Sequence, residues 1–318
     1  MDSASRELNR RLVSRMLLSR LAEERIAEIY PRREVRSPTH FYIGHEAVAA
    51  GVCEALERED LLFPYYRSHG WYLAKGGDLN AMMAELFGKS TGCSGGWGGS
   101  MHLIDLEAGV MGTSAIVGSS IPHAAGAALA LRMRGRDSVA VVSLGDGAVE
   151  EGVFHETLNF AALRKLPVLF VCENNLYSVE TPLTDRQVQP ELFRYAKAYG
   201  IPGVRVDGND VRAVHQAAAD AVARARKGEG PVFLECLTYR FLEHCGPNED
   251  LHLDYRSVEE VRRWRAQEPL ERAKDLVSEA EAAEMAREIG SRIDEALEFA
   301  RSSPFPERLF PEEAGHEV

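Results

Sequence analysis

The residues best placed to do chemistry are an acid and an amide. Asp146 sits in Gly145-Asp146-Gly147 after an apolar run, Val139 to Leu144, and Asn175 sits in Asn174-Asn175 after a second, Val168 to Cys172. Short apolar runs bounded by turn residues predict buried strands. Between them Val153, Leu158, Ala161, Ala162 and Leu163 recur at helical spacing, and Pro167 stops that helix. A right-handed crossover lays the two strands parallel, so their C-terminal ends reach the sheet edge where open α/β sheets bind ligands. Asp146, the Asn175 amide oxygen and a carbonyl from the turn at Leu176-Tyr177 then form an all-oxygen set. Such a set suits Mg²⁺, with room left for phosphate oxygens.

Each half alone has a plainer reading, because GDG after a strand is commonly only a turn. A dinucleotide fingerprint needs G-x-G-x-x-G, whereas Glu150 stands at the third glycine's place and the next glycine is Gly152. This disfavours a nicotinamide dehydrogenase. Asp146 would also repel a diphosphate approaching directly, and a cation between them removes the repulsion.

Taken together, the two motifs within GDGAVEEGVFHETLNFAALRKLPVLFVCENNLYS resemble the thiamine diphosphate signature of one family: the α subunits of the first component of 2-oxo acid dehydrogenase complexes, of pyruvate, acetoin and branched-chain type. The resemblance is strong over roughly residues 35–260 and weak at the ends. It implies an α/β, doubly wound parallel sheet of the thiamine diphosphate-binding fold. One domain would cover 1–318, with an N-terminal helical extension over 1–34 and C-terminal helices over 257–302. Asp146, Asn175 and the Tyr177 carbonyl would hold Mg²⁺ on the diphosphate, with Gly147 and Ala148 beside it.

The same resemblance assigns further residues. Tyr66 and Arg67 match the family's Tyr-Arg pair that holds the diphosphate, and a guanidinium is suited to bidentate bonds with phosphate oxygens. His69 follows at the family's spacing, His40 matches a histidine that faces the cofactor, and His244 matches one that contacts the diphosphate and incoming partner groups; these three are the catalytic candidates. Val117 would wedge the cofactor into its bent form, and a backbone group near Ala115 would bond the aminopyrimidine. Two departures stand out: His45 replaces the Gln of the family's G-Q-E-A turn, which implies a different substrate choice, and Cys245 replaces a serine that eukaryotic members phosphorylate, so that control is not expected.

Family enzymes activate the aminopyrimidine with a glutamate from a second copy of the fold. Only one such motif is present here, so the resemblance implies that the glutamate comes from a β subunit in a two-α, two-β assembly. The substrate would be a small 2-oxo acid and the acceptor a lipoyl-bearing acyltransferase. A carboligase passing a two-carbon unit to an aldehyde, ketone or sugar is the alternative. A degenerate, non-catalytic subunit is disfavoured by the joint presence of Asp146, Asn175, Tyr66, Arg67 and His244.

These residues must be positioned by ordinary elements. Leu8, Leu12, Met16 and Leu17 predict the buried face of a first helix. Gly88 to His102 carries six glycines with Trp97, Met101 and His102, which predicts a loop with close backbone approach. Val204 to Val206, a helix to Arg226 and Val232 to Tyr239 repeat the strand-helix-strand unit, with Asp210 as N-cap. Leu242 to Arg256 reads as a mobile surface loop. Ser257 to Glu260 and Ser278 to Glu281 read as capping boxes, and Met285, Ile289, Ile293 and Leu297 form a docking stripe.

The whole chain bounds the answer. Its 318 residues, 45% hydrophobic, suffice for one large α/β domain or two modest ones. A net charge of −12 with no basic cluster argues against nucleic acid and anionic membranes, and no apolar run approaches a membrane span. Glu7, Glu23, Glu24 and Glu28 argue against an organelle transit peptide. Five cysteines without a C-x-x-C pair fit a reducing, cytoplasmic setting.

Overall fold

The computed structural model describes residues 3–307; the outermost parts of the single-domain reading, 1–2 and 308–318, lie outside it. In chain order the elements are α1 (Ser3–Ile29), α2 (Glu46–Glu54), β1 (Leu61–Phe63), α3 (His69–Lys75), α4 (Leu79–Leu86), α5 (Ser120–Met133), β2 (Ala140–Gly145), α6 (Gly152–Leu163), β3 (Val168–Asn174), β4 (Tyr177–Ser178) and β5 (Thr181–Pro182). They continue through α7 (Leu183–Arg186), α8 (Phe193–Ala198), β6 (Gly203–Asp207), α9 (Val211–Arg226), β7 (Val232–Leu237), α10 (Val258–Arg265), α11 (Pro269–Ala273) and α12 (Glu279–Ser302).

Five strands form one parallel sheet in the order β1-β2-β3-β7-β6. Side chains alternate across it: Val141, Leu169, Val171 and Leu234 join a core with α1, α2, α4, α9 and α12, whereas Val142, Leu144, Phe170, Cys172 and Phe233 join a second core with α5, α6 and α8. Burial on both faces is why these strands read as continuous apolar runs rather than alternating ones. The sheet is doubly wound, as expected.

β3 runs past Cys172 through Glu173 and Asn174 because Glu173 is fully satisfied inside: its carboxylate accepts from Tyr42 Oη and, at 3.0 Å, from Trp71 Nε1. Gly145 of β2 pairs with Glu173 of β3, which brings the two strand ends level and sets Asp146 beside the Asn174-Asn175 turn.

Local expectations fared unevenly. Asp210 caps α9, accepting from Arg212 N and Ala213 N, and Met285, Ile289, Ile293 and Leu297 are all buried on α12. On α1, Leu12 and Met16 are buried while Leu8 and Leu17 are only partly so. α6 buries Leu158 and Ala161 as expected together with Phe154 and Thr157, while Val153 and Ala162 are half-buried and Leu163 is 75% exposed. Ser278 and Glu281 form the reciprocal capping box, but Ser257 accepts from Glu260 N without a return bond, because the Glu260 carboxylate is taken by Tyr177 Oη at 3.0 Å. The glycine loop is organised by the buried Glu85 of α4, whose two oxygens accept from the backbone N–H groups of Ser94, Gly96, Gly98 and Gly99 at 2.7–3.0 Å. At Gly92 a Cβ would stand 2.4 Å from that carboxylate, so the approach requires glycine there.

Candidate functional site

A cavity opens at the C-terminal edge of the sheet, where β2 and β3 end. One wall is the turn Gly145, Asp146, Gly147 and Ala148, a second is Asn175, Tyr177 and Ser178, and a third is Tyr65, Tyr66 and Arg67 after β1. Val117 and Gly118 border it from the loop before α5, and His244 closes it from the segment after β7. Five separate stretches of chain therefore meet at one place.

Asp146 is 2% exposed, and burial pushes its carboxyl up in pKa while the Arg186 guanidinium works against that shift. Arg186 donates through Nη2 to Asp146 and through Nη1 to Glu150. Asn175 aims its side-chain oxygen along the turn, accepting from Tyr177 N at 3.2 Å. The side-chain oxygen and the Asp146 carboxylate both border the cavity wall, as the strand-helix-strand geometry requires. A Cβ at Gly147 would lie 2.7 Å from Ser178 Oγ, so the two walls touch only because residue 147 lacks a side chain.

Arg67 is buried and acts as a clamp between segments. It donates to the Phe41 carbonyl at 2.6 Å and to the His244 carbonyl at 3.1 Å. The rings of His40, Tyr66 and His244 pack together, with centroids 4.5 Å apart for His40–Tyr66 and 4.9 Å for His40–His244. Burial lowers the pKa of His244 to about 3, with Arg67 and then Arg240 adding to the shift; burial, then Arg67 and His244, drives His40 down as well. Both imidazoles are neutral at pH 7. His40 Nδ1 is buried without a hydrogen-bond partner among the described residues.

Four of the residues singled out do not border the cavity; one of them, His40, reaches it only through its ring contacts with Tyr66 and His244. His69 is fully buried behind the cavity, its Nε2 2.8 Å from Ser100 Oγ and its Nδ1 2.9 Å from Glu23 Oε1, and it does not border the cavity. It ties α3 to α1 and to the glycine loop, so the assignment of His69 to catalysis is replaced by a packing role. His45 is likewise fully buried, 3.7 Å from Glu173, and does not touch the cavity wall; the expected link from His45 to substrate choice has no direct contact to carry it. Ala115 stands beside the Val117-Gly118 edge without bordering the cavity itself. The segment Leu242 to Arg256 is not free: Asp250 accepts from Arg240 at 3.3 Å and from Arg256 Nε at 3.0 Å, and all three side chains are buried.

Residue spacing alone missed Arg186, Glu150, Tyr65 and Ser143. Arg186 lies on a one-turn helix with no periodic pattern, and its partners are distant in sequence. Tyr65 was legible only as part of an aromatic cluster, and Ser143 lies inside a strand, where it receives Tyr65 N at 3.4 Å.

The arrangement is a sheet-edge pocket with one buried acid, an amide oxygen and a guanidinium clamp. The chain belongs to the dehydrogenase E1 component family, whose sequence pattern matches residues 14–308. Members of this family are the thiamine diphosphate-dependent first components of 2-oxo acid dehydrogenases. Among similar proteins, the chloroplastic pyruvate dehydrogenase E1 component subunit alpha-3 of Arabidopsis thaliana is 40% identical, over 92% of this chain and 71% of the relative. The alpha subunit of acetoin:2,6-dichlorophenolindophenol oxidoreductase from Bacillus subtilis is 39% identical, over 93% of this chain and 89% of the relative. The pyruvate dehydrogenase E1 component subunit alpha of Rhizobium meliloti is 38% identical, over 95% and 88%.

Proposed function

We propose that this chain is the α subunit of a thiamine diphosphate- and Mg²⁺-dependent 2-oxo acid dehydrogenase, anchoring the cofactor diphosphate at the interface with a β subunit in a two-α, two-β assembly. The observation that carries the reading is the meeting of Asp146, Asn175 and Tyr177 with Tyr66, Arg67 and His244 around one cavity. An all-oxygen donor set beside a buried guanidinium suits a hard cation bridging to phosphate oxygens. His40, whose ring packs against Tyr66 and His244, holds a buried Nδ1 without a partner among the described residues, an orphaned polar group next to this lining, so the residues fit the group.

In this reading Asp146, the Asn175 side-chain oxygen and the Tyr177 carbonyl hold Mg²⁺, and Gly147 and Ala148 let the backbone come close. Tyr66, Arg67 and His244 hold the diphosphate, and Val117 supports the bent cofactor from below. Thiamine diphosphate, when bound, supplies the electron sink for decarboxylating a 2-oxo acid. The chain itself would bind and orient the cofactor, and His40 and His244, both neutral, are the imidazoles that would exchange protons there. The partner β subunit carries the activating glutamate, and a lipoyl-bearing acyltransferase takes the acyl group. The five cysteines, all free, suit a reducing cytoplasm.

Calorimetry tests the anchor: Asp146→Ala is expected to abolish Mg²⁺-dependent binding of thiamine diphosphate. Unchanged affinity would remove Asp146 from the site.

A further inference from the structure

The metal-side carboxylate already has a cation on it. Arg186 is held on three sides: Nη2 donates to Asp146 Oδ2, Nη1 to Glu150 Oε1, and Nε to the Thr181 carbonyl at 3.1 Å. Its side chain is 9% exposed, so this pair is screened little by solvent. The helix that carries it, α7, is tied to the motif turn as well, because Leu183 N donates to the Leu176 carbonyl at 2.7 Å. One backbone hydrogen bond thus links the helix of Arg186 to the turn that presents Asn175 and Tyr177.

A carboxylate this deeply buried is costly without an opposite charge, and Arg186 provides one. That service conflicts with metal binding, since a divalent ion needs the Asp146 oxygens and repels a guanidinium lying against them. The Glu150 and Thr181 contacts give Arg186 somewhere to stay when it lets go. We propose that Arg186 is an exchangeable internal counter-ion of Asp146: it pairs with the carboxylate and aims it, and the metal must displace it, so Arg186 sets the metal affinity of the site. This rests on the metal-diphosphate reading above. Metal binding exchanges one cation for another, and the affinity measured is the difference between the two.

The full-length chain titrated with Mn²⁺, with and without thiamine diphosphate and with free ion read by electron paramagnetic resonance, separates the possibilities. Arg186→Gln is expected to bind Mn²⁺ about tenfold more tightly than the unaltered chain. Arg186→Lys keeps a charge but only a point contact, and its affinity should fall between the two. Mn²⁺ affinity that is unchanged or weaker in both variants overturns the proposal; loss of thiamine diphosphate affinity with Mn²⁺ binding unaltered would mean that Arg186 serves the diphosphate instead, and overturns it too. Asp146→Asn is the control for the underlying reading: if it binds Mn²⁺ like the unaltered chain, the metal site itself is elsewhere, whatever Arg186 does.

Discussion

At the scale of single residues, the site is governed by what burial does to charge. His244 and His40 are neutral because they are desolvated beside Arg67, so the unfolded chain binds protons that the folded chain refuses. Stability falls wherever the unfolded state binds more protons as pH drops, which for His244 covers the interval from the ordinary histidine value of about 6.5 down to the folded value near 3. The cofactor-free chain should therefore lose stability between pH 7 and pH 4, and His244→Gln should remove part of that loss. Urea midpoints measured at both pH values check it: the variant must gain on the unaltered chain as pH falls, and a constant gap between them would exclude the titration. Arg67 is the complementary case. Arg67→Met leaves the carbonyls of Phe41 and His244 without their donor and should weaken thiamine diphosphate binding at least tenfold by calorimetry, a difference of about 1.4 kcal/mol.

Elements explain why some of these residues could be read from the chain and others could not. Asp146 and Asn175 were legible because each ends an apolar run and a parallel crossover leaves strand ends on one edge. On α6 Leu158 and Ala161 were legible from helical spacing, but Val153 and Leu163 satisfy a helical period as well as Phe154 does, and only the neighbouring sheet and α5 decide which of these turns inward. His69 looked catalytic because its distance from Arg67 in sequence is right; nothing in the spacing says that α3 turns it toward Glu23 of α1. The glycine loop was recognisable as a close approach, but its organiser, Glu85, lies upstream on a helix where a glutamate usually faces water. Glu85→Gln replaces a side chain whose two oxygens accept from four N–H groups by an amide with one oxygen and two donors of its own, and should cost about 3 kcal/mol in urea unfolding. The Leu242 to Arg256 segment makes a parallel case, since it is pinned by Asp250 rather than loose. Asp250→Asn should raise amide exchange across that segment at least tenfold while β2 and β3 stay protected, and equal protection in the variant would show that the ion cluster does not hold it.

At the scale of the whole molecule, the cavity is chemically one-sided. Among the described residues its bordering acids are Asp146, Glu150 and Glu151, all from the single turn after β2, and Glu150 is committed to Arg186. Beside Glu151 the rim carries Val117, 44% exposed, next to Ile116, 72% exposed, and a Cβ at Gly118 would lie 3.3 Å from the Glu151 side chain. Apolar side chains at the mouth of a polar pocket suit cover by another protein surface, and in the proposed reading the activating carboxylate arrives with that cover. The chain alone should therefore bind Mg²⁺ and thiamine diphosphate yet fail to decarboxylate 2-oxo acids, and activity should appear on adding the cognate β subunit. Sedimentation of the active species should match two copies of each chain. Pyruvate and branched 2-oxo acids assayed with and without β subunit make the comparison, and robust turnover by the isolated α chain would mean that the missing carboxylate is supplied from within this sequence after all.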